Sequence, residues 1–286
     1  MMADIKGDIN TAMGYYGLFD RDGVHVTTNL YFAEEEITCN GDCIARYVGS
    51  WMDNLPDGRW ASWMAGYEDS RRFGSRFNET YMKAFNLLIM LLPGTPVVYY
   101  GDEIKMIDLP DVTSPGPWSK TQIMRGLMQW ENVTNGGFQT DASCDISGCN
   151  EPWIDVNKDF SQNNAMIQNT TAGSLLNFMK NLTRLRKENS FIIGEYHPTL
   201  YNENIFSFVR EFDGEKGYLI AINFGQATET NDFTGTHSTI KTTATVELTT
   251  GNDVGYKVGS DISTESITLQ SHQGIVVSWN YAAKEL

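Results

Sequence analysis

Residues 60–100 constrain the fold of this 286-residue chain more tightly than any other stretch. Residues 60–66 read as a short strand. An apolar helix then opens at Asn78, a residue type that caps helix N-termini well, and stops at Pro93-Gly94; residues 95–100 read as a second, buried strand. Strand, helix, strand implies parallel pairing, because the helix carries the chain back to the starting edge of the sheet. The expected fold class is α/β, with helices on the sheet's outer face. Residues 25–32, followed by a helix through Ile44, Tyr47, Val48 and Trp51, predict a preceding unit of the same kind.

The pattern changes near residue 190, where Trp, Met and helical periodicity give way to Thr, Ser, Gly and alternation. Two regions are therefore expected, residues 1–190 and 191–286. A polar excursion over residues 108–171 follows the second parallel strand, and a connection of that length is normally functional or peculiar to a family. It ends at a helix whose Leu175, Phe178, Met179, Leu182 and Leu185 form one stripe. Arg184, Arg186 and Lys187 fall near its C-terminus, where the helix dipole favours cations. Beyond it, alternation at Tyr218, Ile220, Ile222 and Phe224, at Ile240, Ala244, Val246 and Leu248, at Ile267 and Leu269, and at Ile275, Val277 and Trp279 predicts a small antiparallel β domain of at least five strands.

Composition removes several function classes. Asp and Glu number 36 against 21 Lys and Arg, a formal charge of -15, so a nucleic-acid backbone is repelled and no nucleic-acid partner is expected. The longest apolar run, from Leu87 to Leu92, is far short of the ~20 residues that a membrane-spanning helix needs, so the chain as it stands is expected to be soluble. Residues 1–8 carry neither a basic segment nor an apolar one of the kind a signal peptide has. Yet Asn78-Glu79-Thr80, Asn132-Val133-Thr134, Asn169-Thr170-Thr171 and Asn181-Leu182-Thr183 are N-glycosylation sequons. The four cysteines fall as two close pairs, Cys39 with Cys43 and Cys144 with Cys149, although four cysteines allow three connectivities. Together these predict a disulfide-bonded glycoprotein of the secretory pathway or extracellular space. No Cys/His spacing or calcium loop marks a metal site, and no cofactor is expected.

In a parallel α/β domain, functional side chains gather where strands end and loops begin. Glu68 and Asp69 follow the strand ending at Gly66, with Arg71 and Arg72 close behind; Asp102 and Glu103 follow the strand ending at Tyr100. Neighbouring strands lie ~4.8 Å apart, so these carboxylates can face one pocket, and an Arg among them would hold one ionised. Such a constellation suits sugar binding or acid/base chemistry.

The surrounding letters sharpen this. Residues 92–104, Leu92-Pro93-Gly94-Thr95-Pro96-Val97-Val98-Tyr99-Tyr100-Gly101-Asp102-Glu103-Ile104, resemble the eighth barrel strand of the α-amylase superfamily, glycoside hydrolase family 13. Gly66-Tyr67-Glu68-Asp69-Ser70-Arg71-Arg72 is similar to that family's seventh-strand motif, usually Gly-Asn-His-Asp with an Arg three residues later. Tyr15-Tyr16-Gly17 with Gly23-Val24-His25 resembles the approach to the sixth strand, and Arg125-Gly126-Leu127-Met128-Gln129-Trp130 resembles the Arg-Thr-Pro-Met-Gln-Trp stretch of maltase-type α-glucosidases. Four such matches occur in the family's order.

The resemblance implies the last strands, six to eight, of a (β/α)8 TIM barrel over residues 1–190, an antiparallel β domain over residues 191–286, and hydrolysis of α-glucosidic bonds in oligosaccharides with retention. Retaining chemistry needs a nucleophile and an acid/base carboxylate about 5–5.5 Å apart. By the resemblance the nucleophile falls upstream of Met1 and the acid/base just before or at Met1. Only the third, transition-state-stabilising carboxylate maps here, onto Asp69, with Arg72 matching the family's arginine. Glu68 and Trp130 are further substrate-binding candidates, Glu103 reads as structural, and His25 as barrel packing or a local hydrogen-bond partner. Trp60 and Trp63 are candidates either for sugar stacking or for the core.

One departure stands out. The usual Asn-His is here Tyr67-Glu68, which replaces a neutral donor by a carboxylate that cannot donate unless protonated. Sugar affinity should fall, and the chain alone should be nearly inert. Two readings follow: a maltase-like α-glucosidase, or a non-catalytic relative such as a transporter heavy-chain ectodomain, tied to a membrane only through a segment outside this chain.

Overall fold

A computed structural model describes residues 1–18, 21–34, 39–110, 123–138, 154, 156–251 and 255–282. Its first region carries four short parallel strands. β1 (Met2–Asp4) leads to α1 (Ile9–Gly14), which Asp8 caps, then to a small hairpin of β2 (Gly17–Leu18) and β3 (Arg21–Asp22), and on to β4 (Val26–Thr28). β4 pairs in parallel with β1, Met2 opposite Val26. After α2 (Gly41–Asn54) come β5 (Ser62–Met64), α3 (Phe73–Arg76), α4 (Glu79–Leu91) and β6 (Thr95–Val97), with β5 and β6 parallel and Ser62 opposite Thr95. The Ser62 hydroxyl joins the two pairs, donating to the Thr27 carbonyl at 2.7 Å and accepting from the Asn29 N–H at 3.1 Å.

Three strands were expected here; β1 is the addition. The other three ladders are shorter than the sequence implies. The chain leaves β5 at Ala65 because the carbonyl there is taken by the Arg76 guanidinium rather than by a neighbouring strand.

The helices form for the reasons the sequence gives. Asn78 Oδ1 accepts from the Tyr81 N–H at 2.9 Å and opens α4, and Asn40 Oδ1 does the same for the Cys43 N–H at 3.1 Å in α2. A disulfide links Cys39 to Cys43 across that helix start; Cys144 and Cys149 lie outside the described residues. α4 is apolar all round, with ten of its 13 residues buried, because it is covered on both sides. One side packs on β5 and β6 and the other on the second region's sheet. Among the described residues no helix is long and apolar enough to cross a membrane.

After α5 (Ala165–Thr170), α6 (Leu175–Leu185) and α7 (Asn189–Ile192) the chain enters its antiparallel part. The strands are β7 (Glu195–Tyr201), β8 (Ile205–Glu211), β9 (Lys216–Asn223), β10 (Glu229–Asn231), β11 (Thr243–Thr249), β12 (Asp261–Ser263), β13 (Ile267–Leu269) and β14 (Gly274–Asn280). Six of them form one sheet in the order β12-β11-β14-β9-β8-β7, and β10 pairs with β13. Phe206, Phe208, Tyr218, Ile220 and Ile222 face the helices, while Ile205, Val209, Leu219 and Ala221 face Phe233 and Ile267. β8 is therefore buried at every position, which hides it from an alternation search. The alternation also misplaces Leu248. A bulge between Val246 and Leu248 turns Leu248 to the helix-facing side, opposite Val276, while Val246 stays with the other layer.

Two arginines tie the regions together. Arg210, on β8 and 1% exposed, donates to the carbonyls of Leu91 at 3.1 Å, Phe191 at 3.0 Å, Gly194 at 3.1 Å and Glu195 at 3.2 Å. Arg186, just past α6, donates to the carbonyls of Met90, Leu92 and Gly94. These are the carbonyls that the end of α4 and the turn after it leave without helical partners. Burial lowers both guanidinium pKa values, that of Arg210 to about 10, which leaves Arg210 charged at neutral pH. Replacing Arg210 with Leu should strip several buried carbonyls of their donors and lower the unfolding free energy by at least about 3 kcal/mol in urea titrations. An unchanged midpoint would mean that these carbonyls find other partners.

Candidate functional site

The rim is built at the C-terminal ends of the parallel strands, where the loops after β5 and β6 nearly touch. A Cβ added at Gly66 would lie 2.5 Å from Asp102 Oδ2, so a larger residue here would push the Asp102 carboxyl aside. The next residues divide by burial: Tyr67 is buried, Glu68 and Asp69 are exposed. Asp69 lies between two cations, with Lys6 Nζ at 3.3 Å from Oδ2 and Arg125 Nη2 at 2.9 Å from Oδ1. Lys6 follows β1, Asp69 follows β5 and Arg125 lies beyond β6, so three strand ends converge on one carboxylate. Lys6, and then Arg125, hold the Asp69 carboxyl below its usual range, while Asp69 raises Lys6 in return. Lys6 Nζ also sits 5.2 Å from the centre of the Tyr67 ring. Asp69 is thus an ionised, solvent-facing acceptor.

Arg72 is placed differently from its expected role. It is 1% exposed, with Nη1 donating to the Tyr100 carbonyl at 2.6 Å and Nη2 to the Gly126 carbonyl at 3.4 Å. Its guanidinium stacks on Tyr99 and Tyr100, 4.9 and 4.5 Å from their ring centres. The Tyr100 hydroxyl donates to the same Gly126 carbonyl at 2.7 Å. Arg72 therefore fixes the loop next to Arg125. Arg71 pairs with Asp108 at 3.1 Å, and Asp108 Oδ1 accepts the Arg72 N–H at 2.8 Å.

Asp102 is buried beneath this rim. Burial pushes its carboxyl up to about 7, against the pull of the nearby Arg72 charge, and the neighbouring Glu103 adds to the rise. Glu103 Oε2 is buried without a hydrogen-bond partner. Asp102 does not reach the exposed rim, whereas Glu103 is half-buried.

The aromatic candidates separate. Trp63 is fully buried in the core, its Nε1–H donating to the Pro93 carbonyl at 2.7 Å. Trp60 is exposed but precedes β5, and its Nε1–H donates to Thr95 Oγ1 at the start of β6, so it stands at the opposite end of the strands from Asp69. Both are removed as sugar-stacking candidates. Trp130 keeps an indole 51% exposed, on a turn where its N–H donates to Gly136 and its carbonyl accepts from Met166. His25 is exposed rather than packed in the barrel, with Nδ1 against the Met1 amino group. The sequence reading gave Lys6 and Arg125 no role. Arg125 opens the Arg125-Gly126-Leu127-Met128-Gln129-Trp130 stretch and was within reach; Lys6, 63 positions from Asp69, carries no local signal.

A parallel α/β layer with charged side chains meeting at its strand ends, backed by an antiparallel sheet, defines the class of α/β proteins whose sites are built from strand-end loops. The α-amylase catalytic-domain model matches residues 19–195, and the chain belongs to that family. It is 31% identical over 269 residues to the amino acid transporter heavy chain SLC3A1 of Rattus norvegicus, covering 93% of this chain and 38% of that protein. It is 28% identical over 264 residues to Maltase A1 of Drosophila melanogaster, covering 85% of this chain and 44% of that one. The chain thus spans less than half the length of these relatives. Among solved structures, Bacillus licheniformis trehalose-6-phosphate hydrolase superimposes over 98% of this chain and 56% of its own, with a TM-score of 0.74 at 17% identity, a likeness of fold.

Asp102 generates a test. The folded chain keeps its proton up to about pH 7, whereas the ordinary aspartate value is 3.8, so the stabilisation is complete below about pH 4 and is lost as pH rises through 7. Asp102→Asn removes that proton linkage. Between pH 4 and 7 the unfolding free energy of the parent protein should therefore fall relative to that of the variant. Parallel curves would show that Asp102 is ionised throughout.

Proposed function

We propose that this chain supplies the strand-end rim of an α-glucosidase-type glycoside hydrolase that acts on α-glucosidic bonds of oligosaccharides. Asp69 carries the reading, as an exposed carboxylate held ionised by Lys6 and Arg125 at the position matching the family's third carboxylate. A carboxylate so fixed accepts hydrogen bonds from sugar hydroxyls, and these tighten as the ring moves towards an oxocarbenium ion. Arg72 acts as a positioning residue through its hold on Tyr100 and Gly126. Trp130 offers an exposed face for a sugar ring. The nucleophile and the acid/base have no match among these residues, so cleavage belongs to a protein that combines this rim with both. A secretory-pathway or extracellular setting is supported by the Cys39–Cys43 disulfide and by the exposed asparagines of all four sequons.

The second reading, a non-catalytic α-amylase-fold protein such as a transporter heavy chain, is favoured by Tyr67-Glu68. Glu68 puts a second exposed carboxylate beside Asp69 where the family's usual histidine would donate to sugar. The likeness to heavy chains over 93% of the chain points the same way.

Hydrolysis of maltose and of a chromogenic α-glucoside by the protein that carries this chain separates the two. Turnover that falls about 10²-fold or more in kcat on Asp69→Asn supports the enzyme. No turnover from folded protein supports the heavy-chain reading, and turnover indifferent to Asp69 removes that residue from the site.

A further inference from the structure

We propose that His197, His237 and Glu211 form a binding site for a divalent transition metal, with Zn2+ the best match, on the antiparallel sheet and away from the strand-end rim. One ring nitrogen from each histidine and one carboxylate oxygen of Glu211 lie within 4.8 Å of one another. His197 Nε2 is 3.5 Å from Glu211 Oε1, already near the ~3.4 Å edge of a tetrahedron with metal–ligand bonds of about 2.0–2.1 Å. Side-chain movement of about 1 Å closes the remainder around an ion.

The hydrogen bonds set the tautomer that a metal needs. The Thr239 hydroxyl donates its one proton to Glu211 Oε2 at 2.6 Å, so its contact with His237 Nδ1 at 2.8 Å is accepted from an Nδ1–H. The lone pair of His237 then resides on Nε2. Thr239 thereby orients two ligands at once, as outer-sphere partners of metal ligands do.

Two further observations call for a cation. His197 Nε2 is a buried atom that makes no hydrogen bond, although carboxylate oxygens of Glu195 and Glu211 lie 3.2 and 3.5 Å away. Glu195 and Glu211 also face each other directly across the β7–β8 ladder, with the Glu211 side chain only 4% exposed. Like charges on one rung destabilise a sheet, and a buried carboxylate is costly without a counter-charge. A divalent ion removes both penalties, and Glu195, on the open side, offers the fourth ligand. Two histidines with one or two carboxylates suit Zn2+ better than Ca2+ or Mg2+, which prefer all-oxygen sets. Such a site clamps the loop carrying His237 and Thr239 onto the β7–β8 hairpin at the sheet's edge.

The test is Zn2+ titration by calorimetry into purified protein prepared without a polyhistidine tag, with Co2+ as a spectroscopic probe. One equivalent should bind with a Kd well below about 100 µM, raise the melting temperature, and give visible absorption of tetrahedral intensity with Co2+. His197→Ala and His237→Ala should each abolish that equivalent, while His25→Ala and His272→Ala leave it intact. Thr239→Val keeps all the ligands and should weaken binding by about 10- to 100-fold, which holds the test open if a histidine variant does not fold. Absence of saturable Zn2+ binding, binding that survives both ligand substitutions, or a Thr239→Val protein that binds as the parent does overturns the proposal.

Discussion

The termination of α4 governs the rest of the molecule. This helix is wrapped in apolar neighbours, so its last carbonyls emerge between two packed layers where water cannot serve them. Arg210 from the sheet and Arg186 from the segment after α6 supply the donors, each guanidinium spreading its bonds over several carbonyls as a lysine could not. The same turn contains Gly94 at φ +119°, where a Cβ would strike the Ala61 carbonyl at 2.6 Å. The chain can therefore reverse tightly and bring β6 into register beside β5. Placement of the strand-end loops depends on this register.

From there the rim follows. With Ser62 opposite Thr95, the loops leaving both strands meet at Gly66 and Asp102, and Arg72 turns inward to hold the second loop by its carbonyls. That inward turn leaves Asp69 as the outward charge, and Lys6 and Arg125 gather on it. The chain belongs to the α-amylase catalytic-domain family and is also similar over most of its length to a transporter heavy chain, and Glu68 stands exposed beside Asp69.

The histidine cluster belongs to a different part of the chain and rests on a different constraint. It is created by the β7–β8 register and by the return of residues 237–239 over the sheet edge. The proposed ion joins elements of the sheet domain, so it would act on the stability of that domain rather than on sugar.

Some of this was legible without coordinates. The helix start at Asn78, the stop at Pro93-Gly94, the strand–helix–strand order and the change of pattern near residue 190 are local, because caps, turns and periodicity are written within a few neighbouring residues. Ordered motifs likewise disclosed the family. What lay beyond reach involves pairs far apart in the chain: Lys6 on Asp69, Arg210 on Leu91, His237 beside His197. The fully buried β8 escaped because it has no polar face to show a period. Leu248 was misjudged, and the burial of Arg72 was not foreseen, for a related reason, since a bulge and a burial decision depend on what packs opposite. The residue types and local conformations were thus set by the sequence alone, but which face each side chain turns, and which distant charge it meets, was decided only when the layers closed on one another.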